Sequence, residues 1–328
     1  MNTFRYIEPE SVAEVVSAIK EDANISIIGG GSDLLSEIKN GTSRPNVLVG
    51  LSRIDELKGI AVTDTGVRIG SMVTIDAISS DPIIKKDYRA LSEAASGLAT
   101  PQIRNIGTLG GNLNQRPRCW YYRNPLIDCL KKGGDKCYAL GGHTKYLCVT
   151  EGERCYIVHP SDTAVALSLF NAGIEIASAV GTKIVPIHSF FVSPSQNILK
   201  ETILEPDEFV TAVYLPKDSS ESRHISKYVK ARERQSGDFA LVSVGISLKV
   251  SSGTIKACSI CFGGIAPTPH RSIQMESYLE NRSIESVDIS YASSLAISDP
   301  RPFPDNEYKV TLAKNLSKKA LSELFSDL

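Results

Sequence analysis

The sequence predicts an α+β protein in two parts, residues 1–220 and 223–328. Three observations carry this. The chain opens on a strand–helix–strand pattern. Its last third holds two long alternating segments and ends on an amphipathic helix. Between the two parts lies DSSES (218–222), which is polar and has no periodicity. A length of 328 residues fits two domains, or one large and one small.

ESVAEVVSAIK (10–20) places Val12, Val15, Val16 and Ile19 on one helical face. ISII (25–28) is a short apolar strand running into GGGSDLL (29–35), and NVLVGL (46–51) is a second buried strand. IAVTDTGVRIG (60–70) reads as a hairpin about Asp64, Thr65 and Gly66. Helices are expected over 75–80 and 83–96, after which Pro101 breaks the pattern. TAVALSLF (163–170) reads as a short helix. IEIASA (174–179) and TKIVPI (182–187) read as a strand pair turning at Gly181, and EFVTAVYLP (208–216) as a strand stopped by Pro216. Beyond the polar break, alternation gives strands over 239–250 and within 254–266. LAKNLSKKALSELFSDL (312–328) is the closing helix.

A hydrophobic content of 42% and a charged content of 22% place the chain among soluble globular proteins. A net charge of −1 gives no reason to expect nucleic acid or an anionic membrane as partner. No apolar run reaches the length of a membrane span. The N-terminus lacks the basic-then-apolar order of a signal peptide, so the cytoplasm is the expected location. Export together with a signal-bearing partner stays open.

Residues 105–162 have little hydrophobic periodicity, which inside a compact domain marks a functional or disordered stretch. Five of the seven cysteines lie there: Cys119, Cys129, Cys137, Cys148 and Cys155. Thiolates at this density can converge on a metal or an iron–sulfur cluster. The spacing C-x9-C-x7-C-x10-C-x6-C lacks the C-x2-C knuckles of zinc ribbons and the compact ferredoxin run. Spacing alone therefore leaves a buried set, a zinc set and a cluster set open. A reducing compartment and an odd count both speak against a disulfide framework. Cys258 and Cys261 stand three apart on a strand, point to opposite faces, and read as core residues. Trp120, Tyr121 and Tyr122 either shield a cluster or pack. His143 and His159 show no metal-binding spacing.

GGGSD (29–33) follows a strand. Three glycines let the backbone approach a ligand and aim several N–H groups at one spot, a concavity suited to pyrophosphate. A plain glycine turn is the alternative, and the dinucleotide fingerprint GxGxxG is missing. TLGGN (108–112) is a second such element, and two of them favour a large diphosphate-containing ligand. Asp162, in HPSD, can accept a hydrogen bond from a ring N–H or a hydroxyl. It can equally share helix capping with Ser161. There is no Ser–His–Asp set, no paired catalytic carboxylates and no P-loop.

Taken together, GGGSDLL, IRNIGTLGGNL, HPSD and Y-x-K-x-R-x-R-x-x-x-D (Tyr228 to Asp238) resemble the FAD-binding medium subunit of the molybdenum hydroxylases. These are the relatives of xanthine dehydrogenase, carbon monoxide dehydrogenase and aldehyde oxidoreductase. The resemblance covers essentially the whole chain. It implies an FAD-binding domain of the vanillyl-alcohol-oxidase type in two subdomains (1–220) and a small α+β C-terminal domain (223–328). It implies FAD contacts at Gly29, Gly30, Gly31, Ser32 and Asp33, with Leu34 and Leu35 beside them. Thr108, Gly110, Gly111 and Asn112 follow from the second loop, and Asp162 and Lys230 toward the flavin or ribityl region. DNEYKV (305–310) also resembles the family, with a structural role implied.

Residues 115–158 resemble an insertion found in aldehyde oxidoreductases of the periplasmic type and in 4-hydroxybenzoyl-CoA reductase, which implies a 4Fe–4S cluster. The first pattern maps onto Cys119, Cys129, Cys137 and Cys155. The second maps onto Cys119, Cys137, Cys148 and Cys155. CWYYRNP and the GGDKC turn look more like the first. The implied partners are a large molybdenum-cofactor subunit, a small 2Fe–2S subunit and an external electron acceptor or donor. The rivals are a stand-alone FAD oxidoreductase and a non-enzymatic scaffold with a structural zinc.

Overall fold

The computed structural model describes residues 3–21, 24–217, 223–235 and 237–328. The expected break at 218–222 lies outside the described residues. Among the described residues no helix is long and apolar enough to cross a membrane.

The first unit is β1 (Arg5–Ile7), α1 (Val12–Glu21), β2 (Ile25–Ile28), α2 (Leu34–Asn40) and β3 (Val47–Gly50). Its strands form a parallel sheet in the order β1-β3-β2. Parallel neighbours need crossovers, which α1 and α2 supply. The central β3 is buried at every position and packs Val47 and Val49 against Val15 and Ile19 of α1.

The second unit begins with β4 (Ile60–Thr63) and β5 (Gly66–Gly70). Helices α3 (Ile75–Ser80), α4 (Pro82–Asp87), α5 (Arg89–Ser96), α6 (Pro101–Ile106), α7 (Leu109–Leu113) and α8 (Trp120–Arg123) follow. After the cysteine segment come α9 (Asp162–Leu169), β6 (Gly173–Ser178), β7 (Gly181–Pro186) and β8 (Phe209–Pro216). The strands form an antiparallel sheet in the order β4-β5-β8-β6-β7. Two expectations change here. The helix expected over 83–96 is two helices, parted at Tyr88. Tertiary contacts hold Tyr88: its hydroxyl donates to the Pro216 carbonyl at 3.0 Å and its ring meets Phe170 edge-on at 5.2 Å. Pro101 opens α6 instead of breaking a pattern, since its missing N–H costs nothing in a first turn, and Thr100 caps that turn through Ile103 N–H.

The third unit is β9 (Arg223–Ala231), β10 (Val242–Ser251), β11 (Thr254–Gly263), β12 (His270–Arg271), α10 (Ile273–Leu279), α11 (Ile289–Ser294) and α12 (Tyr308–Ser326). Its antiparallel sheet runs β12-β11-β10-β9. One face packs on α10, α11 and α12 through Val244, Ile246, Leu248 and Cys258. The other turns Tyr228 and Cys261 into the core built around α5 and α9. The two cysteines of the C-x-x-C pair thus face different cores, as a strand's two-residue period requires.

Candidate functional site

The two glycine loops are packed on each other. A Cβ on Gly30 would lie 1.6 Å from the Ile106 carbonyl oxygen, so only glycine fits where the loops cross. Thr108 caps α7, its hydroxyl accepting from Gly111 N–H at 3.2 Å. A Cβ on Gly111 would meet only that hydroxyl, at 3.1 Å, and otherwise projects into a cavity of about 260 Å³. Of the residues the sequence pointed to, Ser32, Asp33, Thr108, Gly111, Asn112, Asp162 and Lys230 line this cavity together. Gly29, Gly30, Gly31, Gly110, Leu34 and Leu35 stand behind that wall. Gly29 backs onto the Thr108 hydroxyl, and Gly31, at φ +72°, turns under Leu35. Gly110 is pinned by its N–H to the Ser71 carbonyl at 2.8 Å. Leu34 and Leu35 open α2.

Asp162 begins α9, whose N-terminus favours a carboxylate. Ser161 caps this helix by accepting from Ala164 N–H at 3.0 Å. The hydroxyls of Ser161 and Thr163 both donate to Asn112 Oδ1 at 2.6 Å, which ties the second glycine loop to HPSD. On β9 the two-residue period sends Ile225 and Val229 to the C-terminal core, and Tyr228 and Lys230 toward α9. Lys230 Nζ pairs with Asp162 Oδ2 and the Tyr228 hydroxyl donates to Oδ1. Burial, then the charge of Asp162, holds the Tyr228 phenol well above its ordinary range, so it is a permanent donor here.

Asp33 does more than line the cavity. Its Oδ1 meets Arg118 at 2.7 Å and Arg123 at 2.8 Å, and its Oδ2 accepts from Arg116 N–H at 2.7 Å. The first glycine loop thereby anchors the start of the cysteine segment. Burial pulls the Arg118 guanidinium down against the opposing pull of Asp33. Arg118 also lies over the Phe239 ring at 4.6 Å.

A larger cavity of about 710 Å³ adjoins the first and shares Arg118, Pro160, Asp162, Asp238 and Phe239 with it. The cysteine segment forms one wall through Trp120, His143 and Tyr146. The segment between β9 and β10 forms the facing wall. The two walls meet where the Tyr146 hydroxyl donates to Glu233 at 2.9 Å and Lys145 pairs with the same carboxylate. His159 lies at the base. Burial drives its imidazole down to about 3, so it is neutral at pH 7 and accepts from Ser161 N–H on Nδ1.

Four thiols, Cys119, Cys129, Cys137 and Cys155, line one further void with Tyr122, Leu147 and Ile157. Cys148 is outside that lining, 1% exposed, against Gly152 and near Lys309. Burial raises Cys119, and raises Cys155 to about 12. The void is small, about 10 Å³. Among the described residues no three His, Cys, Asp or Glu side chains come close enough to hold a single metal ion.

Residues 2–218 match the family model described as the FAD binding domain in molybdopterin dehydrogenase, and residues 227–324 match the CO dehydrogenase flavoprotein C-terminal domain. The chain belongs to the FAD-binding subunits of the molybdenum hydroxylases. It is 32% identical over 327 residues to the aldehyde oxidoreductase FAD-binding subunit PaoB of Escherichia coli, covering 98% of each chain. It is 26% identical to the carbon monoxide dehydrogenase medium chain of Hydrogenophaga pseudoflava, over 97% of this chain and 96% of that one. A solved CO dehydrogenase from Oligotropha carboxidovorans superposes with a TM-score of 0.79 at 23% identity, covering 100% of this chain and 99% of that chain, which establishes the likeness of fold.

For an FAD-binding subunit the donor set fits a flavin dinucleotide. Ser32, Thr108 and Asn112 offer polar groups, Gly111 leaves room, and Lys230 sets a cation at the wall. The thiol set also fits in kind. Four sulfurs without carboxylate or imidazole are the donor type of an iron–sulfur cluster or a zinc site and not of a hard cation. A cluster would have to spread them on entry. Reading the sequence missed Tyr228, Arg118 and Leu147 as site residues. Tyr228 had a signal, since it opens the Y-x-K-x-R motif two residues before Lys230. Arg118 has none short of knowing that Asp33 lies beside it.

Proposed function

We propose that this chain carries FAD along the two adjoining cavities and a 4Fe–4S cluster on Cys119, Cys129, Cys137 and Cys155. On this reading it is the electron-transfer subunit of a cytoplasmic heteromeric molybdenum hydroxylase. A large molybdenum-cofactor subunit and a small 2Fe–2S subunit complete the assembly, and an external acceptor or donor exchanges electrons with the flavin. The relative of 32% identity supports an aldehyde oxidoreductase-type complex, with a xanthine dehydrogenase-like one beside it. The name "medium chain" of the carbon monoxide dehydrogenase relative supports the partner set.

One observation carries the reading: the second glycine loop, Asp162 and Lys230 meet on the wall of a single cavity. Bound FAD supplies the redox chemistry. Ser32, Asp33, Thr108, Gly111 and Asn112 would hold it from one side. Asp162 fixes the Lys230 ammonium, and a fixed cation beside a flavin favours its anionic reduced form and raises its potential. Phe239, Trp120 and Tyr146 line the larger cavity beside that wall. For the cluster, the shared lining of four thiols supports Cys129 over Cys148, and so the aldehyde oxidoreductase pattern over that of 4-hydroxybenzoyl-CoA reductase.

A visible spectrum with metal analysis of the purified native assembly tests this. Flavin bands over broad iron–sulfur absorption, with iron present, are expected. Zinc in place of iron removes the cluster, and a chain without flavin removes the whole reading. Gel filtration of the native protein separates a three-subunit assembly from a stand-alone oxidoreductase.

A further inference from the structure

The motif DNEYK (305–309) lines none of the three cavities. Its side chains instead converge on residues 144–148 of the cysteine segment. Asn306, with no exposed surface, donates from Nδ2 to the carbonyls of Thr144 (3.2 Å), Leu147 (3.2 Å) and Cys148 (3.1 Å). Its Oδ1 accepts from Phe303 N–H at 2.7 Å. Lys309, 1% exposed, donates to the carbonyls of Leu147 (2.9 Å) and Gly264 (2.8 Å). Asp305 accepts from Thr144 N–H and the Tyr308 hydroxyl donates to the Lys145 carbonyl. Buried backbone carbonyls need partners, and residues 144–148 belong to no strand. This motif supplies those partners.

Leu147 is held twice, by Asn306 and by Lys309. Leu147 lines both the thiol void and the 710 Å³ cavity, as do Cys119 and Tyr121, while Cys129, Cys137 and Cys155 line the void alone. We propose that Asn306 and Lys309 are positioning residues that fix Leu147 as an apolar partition between the larger cavity and the thiols of Cys129, Cys137 and Cys155, and so keep the cavity's water off those three sulfurs. Solvent access and hydrogen bonding tune a cluster's potential, and access decides how fast sulfur is oxidised. What the partition does for a cluster rests on the 4Fe–4S reading. The partition itself does not, and the experiment separates the two.

Lys309→Met, Leu147→Ala and Leu147→Met are made in the full assembly. Iron retention in air and the cluster's midpoint potential by low-temperature electron paramagnetic resonance are measured, with the flavin potential as internal control. In the iron-stripped full-length chain, the rate of maleimide labelling at Cys129, Cys137 and Cys155 is followed by mass spectrometry, with Cys119, which already lines the larger cavity, as internal control. Lys309→Met and Leu147→Ala should lose iron several-fold faster, shift the cluster potential but not the flavin's, and label several-fold faster. Leu147→Met should match the parent. Parental labelling rates in both Lys309→Met and Leu147→Ala overturn the proposal. If Lys309→Met fails to fold, Leu147→Ala decides alone. A parent without iron ends the cluster reading, while the labelling arm still judges the partition.

Discussion

Lys230 Nζ lies 2.6 Å from Asp162 Oδ2, across 68 residues of sequence, and both side chains are 5% exposed. Breaking a buried pair on one side leaves the other charge uncompensated. Lys230→Met should therefore cost roughly 3–5 kcal/mol of stability, and Lys230→Met with Asp162→Asn clearly less than the sum of the two singles. Denaturant melts of the three variants measure this. The same Lys230→Met protein, if it keeps FAD, should show a lowered flavin potential. An unchanged potential and unchanged affinity would remove the ammonium from the flavin's surroundings.

The glycines of the two loops should respond differently. Gly30→Ala forces a methyl into the Ile106 carbonyl and should abolish soluble protein. Gly111→Ala adds a methyl on the cavity side within α7, where alanine favours helix by roughly 0.5–1 kcal/mol over glycine. The flavin-free protein should melt no lower than the parent, while FAD binding weakens. Equilibrium dialysis with FAD checks it, and full affinity in Gly111→Ala places the dinucleotide elsewhere.

Stability should fall in acid through His159. Its folded pKa of about 3 lies below the unfolded value near 6.5, so the unfolded chain binds the extra proton first. The contribution is complete above about pH 6.5 and fades as pH drops toward 3. Between pH 7 and pH 5 the loss is about 2 kcal/mol for this group alone. Replacing His159 by Phe should flatten that part of the pH–stability curve. A curve of unaltered slope would refute the assignment.

Serine scanning separates the thiols. Cys129→Ser should lose the cluster and Cys148→Ser should keep it, because Cys148 lies off the shared void. Iron content and electron paramagnetic resonance are the readouts. The opposite result favours the 4-hydroxybenzoyl-CoA reductase pattern.

Much of this architecture is legible along the chain, and the illegible parts share a cause. Strands β10 and β11 announce themselves by alternation, since each face meets a different core, whereas the charged residues along β9 hide it. Helices α2, α6, α7, α10 and α11 run only five to seven residues, too short for a 3.6-residue period to show. The site divides in the same way. Asp162 and Lys230 are visible only as members of motifs, because nothing local brings residues 68 apart together. The three arginine contacts of Asp33 and the common lining of four thiols are tertiary facts, and irregular spacing hides them.

The sheet of the C-terminal unit is a party wall. β11 shows Cys258 to one interior and Cys261 to the other, and Tyr228 on β9 belongs to the interior that α9 fills. A chain cut at the 218–222 break would leave Val165 and Leu169 of α9 facing water. The first 217 residues alone should therefore be less stable than the whole chain, and melting should be a single cooperative event across both family segments. Exchanging C-terminal segments between relatives would succeed only where the matching face of α9 travels with them.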